Sequence, residues 1–348
     1  MAVASSQTNA NLRRQLETIT SPVARHLAAL DAFMEGQVDA FEPEMRELVA
    51  FCLRHSGKRI RPMLLFYSGW RDDEDEPADS LVRAAAVVEF VHLATLVHDD
   101  ILDEADLRHN ATTVARRYGS DAAVLVGDAL FAQALKLASD FPTVAVCRAV
   151  SESTRRVCAG EIAQTFQRGN AALSHSAYFR VIDLKTAELF RVSCSLGASL
   201  AGFETGFVEA VANFGRHLGI AYQIFDDLAD YLGVEQAAGK TLGTDLAGGK
   251  FTLPLLLLLE DLAPVERERH VAGLRDGTVS LNHLRERMRE HEIYNRVAGY
   301  FQREIEAAET ALAAFPGHAA ATRLLLLSDY VRLQTERING VSLDSTSR

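Results

Sequence analysis

Residues 96–107 read LVHDDILDEADL, an apolar run that ends in a dense cluster of carboxylates. The apolar part is typical of a buried helix, and Asp99 and Asp103 are four residues apart, so they share one face of it. The same spacing returns at residues 223–233, QIFDDLADYLG. Both clusters are expected at the last turn of a helix. There the carboxylates repel one another and the negative end of the helix dipole, so a bound cation is expected to compensate them.

The rest of the sequence also has the periodicity of helices, and no segment alternates convincingly in the manner of a β-strand. Some segments are apolar on more than one face, which is typical of the central helices of a bundle. These segments lie near residues 84–104, 120–139, 144–167 and 208–232. No break is long or proline-rich enough to be an interdomain linker. We therefore predict one large all-α domain over residues 11–341, with a disordered lead-in at 1–10 and a flexible tail at 342–348.

Composition limits the class of protein. Of the 348 residues 48% are hydrophobic, enough for a large core, and 36 Lys and Arg against 47 Asp and Glu give a net charge of −11. This balance argues against a nucleic-acid partner and against nonspecific binding to anionic membranes, while it permits an anionic substrate in a locally basic pocket. The four cysteines lack CxxC spacing and sit among apolar neighbours, which predicts reduced core residues in a reducing compartment.

Neither a signal peptide nor a transmembrane segment is predicted. The N-terminal stretch MAVASSQTNANLRRQ has no apolar core. The most apolar run, residues 253–259, is far shorter than the roughly 18 residues that cross a bilayer. We therefore expect a cytoplasmic protein.

The two acidic clusters favour a hard divalent cation. They offer oxygen ligands only, and Mg²⁺ commonly joins one or two carboxylates to substrate phosphates. A solvated acidic face is the alternative, but each cluster follows an apolar wall instead of an amphipathic stripe. Basic residues suited to phosphate binding stand at chain breaks or beside the acidic clusters. They are Lys58, Arg61, Arg108, Lys185, Lys240 and Lys250.

Six motifs together resemble the trans-type polyprenyl diphosphate synthases, long-chain type. They are GKRIRP (57–62), LVHDDILDEADLR (96–108), GDALFAQAL (127–135), KTAELF (185–190), YQIFDDLADYLG (222–233) and GKTLGTDLAGGKFTLPLL (239–256). They occur in the family's order, and the helical segment 324–338 is compatible with it. The resemblance implies a single large helical bundle of the isoprenoid synthase type, with a central cavity.

The resemblance also implies head-to-tail prenyl transfer. An allylic diphosphate ionises, and isopentenyl diphosphate, the C5 unit, attacks the resulting cation through its double bond. About three Mg²⁺ ions per active site are implied, which together with basic side chains stabilise the departing diphosphate. That diphosphate is the expected proton acceptor, so no Ser, His or Cys nucleophile is needed.

The family's pattern gives roles to residues of this chain. The implied direct ligands of Mg²⁺ are Asp99, Asp103 and Asp226. The carboxylates that bind through water or hold these ligands are Asp100, Asp227 and Asp230. The implied ligands of the allylic diphosphate are Arg108, Lys185 and Lys240, and Lys250 closes the glycine-rich loop that folds over the ligand. Those of the C5 diphosphate are Lys58, Arg61 and His92. The dipoles near the cation belong to Thr186 and Gln223.

Other activities of related proteins are the alternatives. A terpene cyclase shares the fold, but its second motif reads like Asn-Asp-x-x-Ser-x-x-x-Glu, which DDLADYLGV at 226–234 does not. A squalene-type head-to-head synthase has different acidic spacing. A non-catalytic regulatory subunit usually lacks one acidic motif, and both are intact here. The family's default assembly is a homodimer, and a long apolar product would leave by peripheral contact with a membrane.

Product length depends on the residues that precede Asp99 on its helix. Ala94 and Thr95, five and four residues earlier, are expected to line the path of the growing chain, and neither is an aromatic plug. The first acidic motif also lacks the two extra residues found in many C20 synthases. A product of about C30 to C50 in an apolar channel is therefore favoured over C15 or C20. Leu135, or a neighbour within GDALFAQALKL (127–137), is predicted to form the floor of that channel.

One position departs from the family. Where the pattern has Arg-Arg-Gly, this chain has Arg108, His109 and Asn110. The second arginine of that pattern grips the C5 diphosphate with a permanent charge and a two-pronged set of donors, which histidine does not offer. Either His109 binds the same group more weakly, or the C5 site is altered and the enzyme ionises an allylic diphosphate without extending it.

Overall fold

The computed structural model describes residues 17–54, 57–72, 78–108, 111–232 and 243–344, and the described part is all-α apart from one two-residue strand pair. The helices before the first acidic cluster are α1 Ala24–Gly36, α2 Pro43–Arg54, α3 Ile60–Ser68 and α4 Asp79–Leu102. The next are α5 Val114–Tyr118, α6 Ser120–Ser139, α7 Ala145–Phe166, α8 His175–Ile182, α9 Glu188–Leu200 and α10 Thr205–Leu232. The last are α11 Thr244–Ala247, α12 Leu253–Asp261, α13 Pro264–Arg275, α14 Leu281–Glu290, α15 Ile293–Leu312 and α16 Ala319–Asp344. The predicted fold class is confirmed.

The four segments predicted as central helices correspond to α4, α6, α7 and α10, with ends that differ by a few residues. Helix α4 is buried along nearly its whole length and packs antiparallel against α6. His98 of α4 lies over Gly127, and at the other end Arg83 lies over the ring of Phe141, just beyond α6. A Cβ atom on Gly127 would lie 2.2 Å from His98 Nε2, so a larger residue at this position would require the His98 ring to move.

Helices α4 and α6 are also long and apolar enough to cross a membrane. In α4, however, 72% of the apolar window is buried inside the protein, and in α6 the share is 44%. Core helices of this length meet the same criterion, and α4 and α6 pack against each other in the bundle. Their apolar character therefore fits the core of the bundle.

Irregular segments separate the helices mostly where the sequence predicted breaks. The break after the first acidic cluster contains the antiparallel pair β1 Leu107–Arg108 and β2 Ala111–Thr112. The features that were not predicted include a turn at residues 201–204 between α9 and α10, and a π-helical turn, Asp183–Ala187, that joins α8 to α9. The π-helical turn matters most, because it carries Lys185.

The chain ends and the cysteines refine two predictions. The lead-in 1–10 lies outside the described residues, whereas α16 continues to Asp344 and so enters the segment predicted as a flexible tail. All four cysteines are free, and Cys52 and Cys194 are buried as predicted. Cys158 is exposed on α7, so its assignment to the core was wrong. The apolar residues around it indicated burial, but its side of α7 faces outward.

Candidate active site

The first acidic cluster closes helix α4, as the sequence predicted. Asp99 and Asp100 lie in the last turn, and Asp103 follows the final residue of the helix, its backbone N–H donating to the Asp99 carbonyl at 2.8 Å. Asp100 is buried and accepts a hydrogen bond of 2.6 Å from Arg108 Nε. The strand pair β1–β2 that follows the helix thus places Arg108 beside the acidic cluster.

Burial and nearby basic side chains have opposite effects on the pKa values of Asp99 and Asp103. Burial raises the pKa of Asp99 to about 6, since attraction to Lys185 offsets only part of the desolvation and Glu161 adds repulsion. For Asp103, burial also raises the pKa, but the ion pair and hydrogen bond with Lys250 outweigh it, and the net pKa lies below the usual value. Asp103 is therefore ionised to lower pH than Asp99, which takes up a proton as the pH falls toward about 6.

The second acidic cluster occupies the last two turns of helix α10. Asp227 is buried and accepts hydrogen bonds from Tyr178 Oη at 2.6 Å and from Gln223 Nε2 at 2.7 Å. Burial raises the pKa of Asp227 to about 8, repulsion from Asp245 adds to the rise, and the two hydrogen bonds only partly oppose it. Asp226, on the adjacent side, is half-buried.

The third carboxylate of this cluster fixes the loop that follows. Asp230 is fully buried and accepts the backbone N–H groups of Gly243 at 3.1 Å and Asp245 at 3.2 Å. Asp227 and Asp230 are therefore occupied by the protein itself. The assignment of Asp226 as a direct metal ligand stays a prediction.

The π-helical turn connects the two clusters. Lys185 Nζ lies 3.5 Å from Asp99 Oδ2, donates to Gln164 Oε1 at 2.9 Å and pairs with Glu161. The next residue, Thr186, donates to Gln223 Oε1 at 2.7 Å on the helix of the second cluster. A π turn holds one more residue than an α turn, and such turns often occur at functional sites. Here it directs consecutive side chains to opposite acidic helices.

A second connection comes from the loop after α11. Lys250 Nζ donates to Asp103 Oδ2 at 2.6 Å, and it lies 3.7 Å from Asp245 Oδ1, whose backbone is held by Asp230. The glycine-rich segment predicted to fold over a ligand thus carries a lysine that already contacts the first cluster. Lys240, in the same segment, lies outside the described residues, as does His109.

A further basic position is formed by Arg61 of α3 and His92 of α4. Arg61 donates through one terminal nitrogen to His92 Nε2 at 2.9 Å, and its guanidinium lies 5.1 Å from the centre of the Phe190 ring. Because arginine can only donate, His92 Nε2 must accept and carries no proton in this arrangement. Burial lowers the pKa of Arg61, although Glu89 opposes the effect. The structure thus brings Arg61 and His92 together, whereas Lys58 is exposed on the segment before α3.

The residues predicted to control product length fall into two groups. Ala94 is fully buried and Thr95 half-buried, with the Thr95 hydroxyl donating to the His92 carbonyl at 2.7 Å. Leu135, however, is 43% exposed on the outer side of α6, where its neighbour Ala134 faces inward. Within a single chain Leu135 is not the floor predicted for it, since helix α6 turns this side chain away from the interior.

Several residues of the site were missed from the sequence. Glu161 and Gln164 come from the stretch GEIAQ (160–164), whose three-residue spacing on one helical face was the available signal. Tyr178 and Arg168 had no such signal, because each reaches its aspartate from a distant part of the chain.

The chemistry of the donors fits Mg²⁺. Asp99, Asp103 and Asp226 offer oxygen ligands at the ends of two helices, and repulsion among buried carboxylates needs a cation. In the described part of the chain no three His, Cys, Asp or Glu side chains are already gathered for a metal.

Known proteins are similar to this chain in both sequence and fold. A family model described as polyprenyl synthetase matches residues 42–289. Octaprenyl diphosphate synthase of Escherichia coli K12 is 32% identical over 262 residues, which cover 75% of this chain and 80% of that protein. Heptaprenyl diphosphate synthase component 2 of Bacillus subtilis is 33% identical over 243 residues, covering 67% of this chain and 69% of that protein.

Among solved structures, a polyprenyl synthase of Caulobacter crescentus, complexed with calcium and isoprenyl diphosphate, has a TM-score of 0.85. It is 28% identical, and the match covers 91% of this chain and 97% of the other. The resemblance carried by the six motifs is confirmed: the chain belongs to the polyprenyl synthetase family.

Proposed function

We propose that this protein condenses isopentenyl diphosphate with an allylic diphosphate, head to tail, and releases a long all-trans polyprenyl diphosphate. The observation that carries the proposal is the pair of carboxylate clusters joined by Lys185 and Thr186 on one π-helical turn. Two opposed acidic helices with cations between them can hold a metal-bound diphosphate. The apolar helix α4, which leads away from them, can accommodate the prenyl chain.

We assign the direct metal contacts to Asp99, Asp103 and Asp226, with Mg²⁺ as the ion. Bound Mg²⁺ would supply Lewis-acid stabilisation of the charge that grows on the departing diphosphate. Similarity to the Caulobacter polyprenyl synthase, which was solved with both calcium and isoprenyl diphosphate, supports a divalent cation here. Asp227 and Asp230, already hydrogen-bonded to the protein, keep helix α10 and the following loop in place.

The basic side chains divide between the two substrates. Lys185, Arg108 and Lys250 surround the first cluster and present fixed positive charge to the allylic diphosphate. We assign to the buried Thr186 and its partner Gln223 the role of presenting an oxygen dipole to the allylic cation. Arg61 and His92 hold the C5 diphosphate, and the buried, unpartnered Nε of Arg61 is an available donor for it.

A product of about C30 to C50 agrees with the related octaprenyl and heptaprenyl synthases and with the small, buried Ala94 on α4.

We also propose a homodimer. The outer sides of α6 and α7 carry exposed large apolar side chains, which commonly mark an interface. They are Val124, Leu125, Leu135, Ile162 and Phe166. A second copy on this surface would cover Leu135. The name component 2 of the Bacillus relative makes a different partner chain the alternative.

The test is direct. Purified protein is incubated with Mg²⁺, labelled isopentenyl diphosphate and allylic primers of C5, C10, C15 or C20, and the products are separated by chain length. Labelled products longer than the primer support the proposal. Release of inorganic diphosphate from a primer without chain extension would instead support a terpene-synthase-like activity. No reaction of the purified chain, with activity restored by a second protein, would identify a hetero-oligomer.

A further inference from the structure

We propose that Arg168 is a further diphosphate-binding residue, which holds Asp103 in the free enzyme and transfers to the allylic diphosphate when a metal ion binds Asp103. The inference rests on the proposed function. Arg168 lies in the turn after α7 and stands outside every motif that identified the family.

The contacts of Arg168 place it at the first acidic cluster. One terminal nitrogen donates to Asp103 Oδ1 at 2.8 Å, and the other donates to the Leu102 carbonyl at 3.0 Å. The Nε atom is buried without a hydrogen-bond partner, and the whole side chain is only 26% exposed. The guanidinium thus has an unused donor beside the carboxylate that it binds.

Asp103 has two basic partners. Its single carboxylate is shared by Arg168 on Oδ1 and by Lys250 on Oδ2, at 2.8 Å and 2.6 Å. Lys250 has a second acidic neighbour, Asp245, at 3.7 Å, whereas in the described part of the chain the ion pair of Arg168 is with Asp103. Asp103 is thus the anionic partner on which Arg168 depends.

Metal binding would take this partner away from Arg168. When a divalent ion takes the oxygens of Asp103, Arg168 loses its anionic partner while it remains largely buried. An ionised group left unpaired in such a place is costly, so a new acceptor is required. The oxygens of a metal-bound diphosphate meet this need, because they match the planar fork of a guanidinium.

The backbone couples Arg168 to the loop of Lys250. The Gly169 N–H donates to the Gly249 carbonyl at 2.8 Å, so the residues after Arg168 and before Lys250 are joined directly. Both glycines have positive φ, 73° and 67°, a conformation that other residues adopt only at a cost. The backbone segments that carry Arg168 and Lys250 are therefore joined by a hydrogen bond, and the two side chains can move to the diphosphate together.

Two other roles for Arg168 make different predictions. If it is purely structural, as a cap on the Leu102 carbonyl, its replacement should leave the affinity for ligands unchanged. If instead it only competes with the metal for Asp103, its removal should tighten Mg²⁺ binding and leave the affinity for diphosphate unchanged.

The experiment compares Arg168→Ala, Arg168→Lys and the control Arg155→Ala, whose exposed arginine pairs with Glu152 on α7. Isothermal titration measures the Kd of inorganic diphosphate with Mg²⁺ present and the Kd of Mg²⁺ alone. Steady-state kinetics give the KM of each substrate. Circular dichroism verifies folding.

For Arg168→Ala we expect the Kd of inorganic diphosphate and the KM of the allylic substrate to rise about 10- to 100-fold, the scale of a charged hydrogen bond. The KM of isopentenyl diphosphate should change less than about threefold, and Arg168→Lys should recover part of the loss, as lysine keeps the charge without the fork. The control should match the wild type.

A diphosphate Kd within about twofold of the wild type in folded Arg168→Ala overturns the proposal, whether or not Mg²⁺ binds more tightly. If Arg168→Ala does not fold, the same criterion applies to Arg168→Lys, for which an unchanged Kd and KM overturn it. A wild-type protein that binds diphosphate with Mg²⁺ but transfers no prenyl group would contradict the proposed function alone, since the Kd comparison still tests Arg168.

Discussion

Gly160 of helix α7 is the position at which one added methyl group should disturb Lys185 most directly. A Cβ atom there would lie 2.7 Å from the backbone nitrogen of Lys185 and 2.9 Å from Leu184 Cβ. Atoms in contact normally stay about 3.5 Å apart, so Gly160→Ala must move the π-helical turn away from α7 by about 0.8 Å. Both clashing groups belong to the turn itself, and a side-chain rotation cannot relieve the contact with backbone.

Gly160→Ala is expected to lower kcat through misplaced geometry more than it lowers the stability of the fold. A misplacement of about 1 Å can reduce catalysis about a hundredfold, so we predict a fall in kcat of about 10- to 100-fold. Overpacking costs about 1–3 kcal/mol of unfolding free energy, and the higher helix propensity of alanine returns up to about 1 kcal/mol. The folded state should therefore persist, with a Tm lower by a few degrees.

The measurement is kcat and KM for both substrates together with Tm. Gly299→Ala is the matched control, because its added Cβ would meet only the flexible end of Arg303, at 3.8 Å. It should keep the wild-type kcat and gain slightly in stability. A folded Gly160→Ala protein with wild-type kcat would refute the reasoning, because it would show that the turn tolerates this shift or that the position of Lys185 does not limit turnover.

Four further predictions concern the metal, the pH dependence and the substrates. Alanine at Asp99 or Asp226 should lower turnover at least about a hundredfold while circular dichroism stays native, since loss of one of several repelling carboxylates need not destabilise the free protein. Without Mg²⁺, unfolding free energy should fall as pH rises from about 4 to 8. Asp99 and Asp227 keep their protons to pKa values of about 6 and about 8 when folded, against 3.8 ordinarily, so the folded state binds more protons across this window. Stabilisation by Mg²⁺, measured as a Tm shift, should grow over the same range. Ala94→Phe should shorten the products resolved by chromatography, because an aromatic ring would obstruct the channel beside α4. His109→Arg should lower the KM of isopentenyl diphosphate about tenfold, with a smaller gain near pH 6, where histidine is itself charged.

Each of these predictions has a contrary outcome. Near-normal prenyl transfer by either aspartate variant would contradict the metal assignment. A metal-free protein whose stability rises between pH 5 and 8 would show that other groups dominate its titration. Unchanged product length in Ala94→Phe would place the channel elsewhere. A wild-type protein without condensation activity that His109→Arg restores would show that the C5 site, and not merely its affinity, depends on this residue.

Local sequence pattern was enough to predict the helices and the acidic clusters. The positions of Asp99 and Asp226 at helix ends follow from apolar periodicity and from the polar breaks behind them, both of which are encoded within some twenty residues. The π-helical turn around Lys185 is different. It depends on the close approach of Gly160 and of Gly219, where an added Cβ would lie 2.6 Å from Ala187 Cα, and these contacts come from two other helices.

The remaining errors have the same origin. Leu135 is apolar, as a residue that lines an apolar channel should be. Helix α6 is apolar on several sides, however, so periodicity could not decide which side faces the interior. Tyr178 and Arg168 join aspartates 49 and 65 residues away, and nothing near them in the sequence indicates an acidic partner. Residues placed by tertiary packing, not by their own helix, were thus beyond prediction from the sequence.

The ion pairs of the free site also indicate how substrate can bind without leaving buried charge uncompensated. Asp99 and Asp103 are matched by Lys185, Lys250 and Arg168, each supplied by a different segment. A metal-bound diphosphate would bring both a cation for these carboxylates and an anion for these basic side chains, so that each group could exchange one partner for another. Because the basic groups already stand beside the carboxylates, little reorganisation is required, and the positive charge is in place before the diphosphate begins to leave.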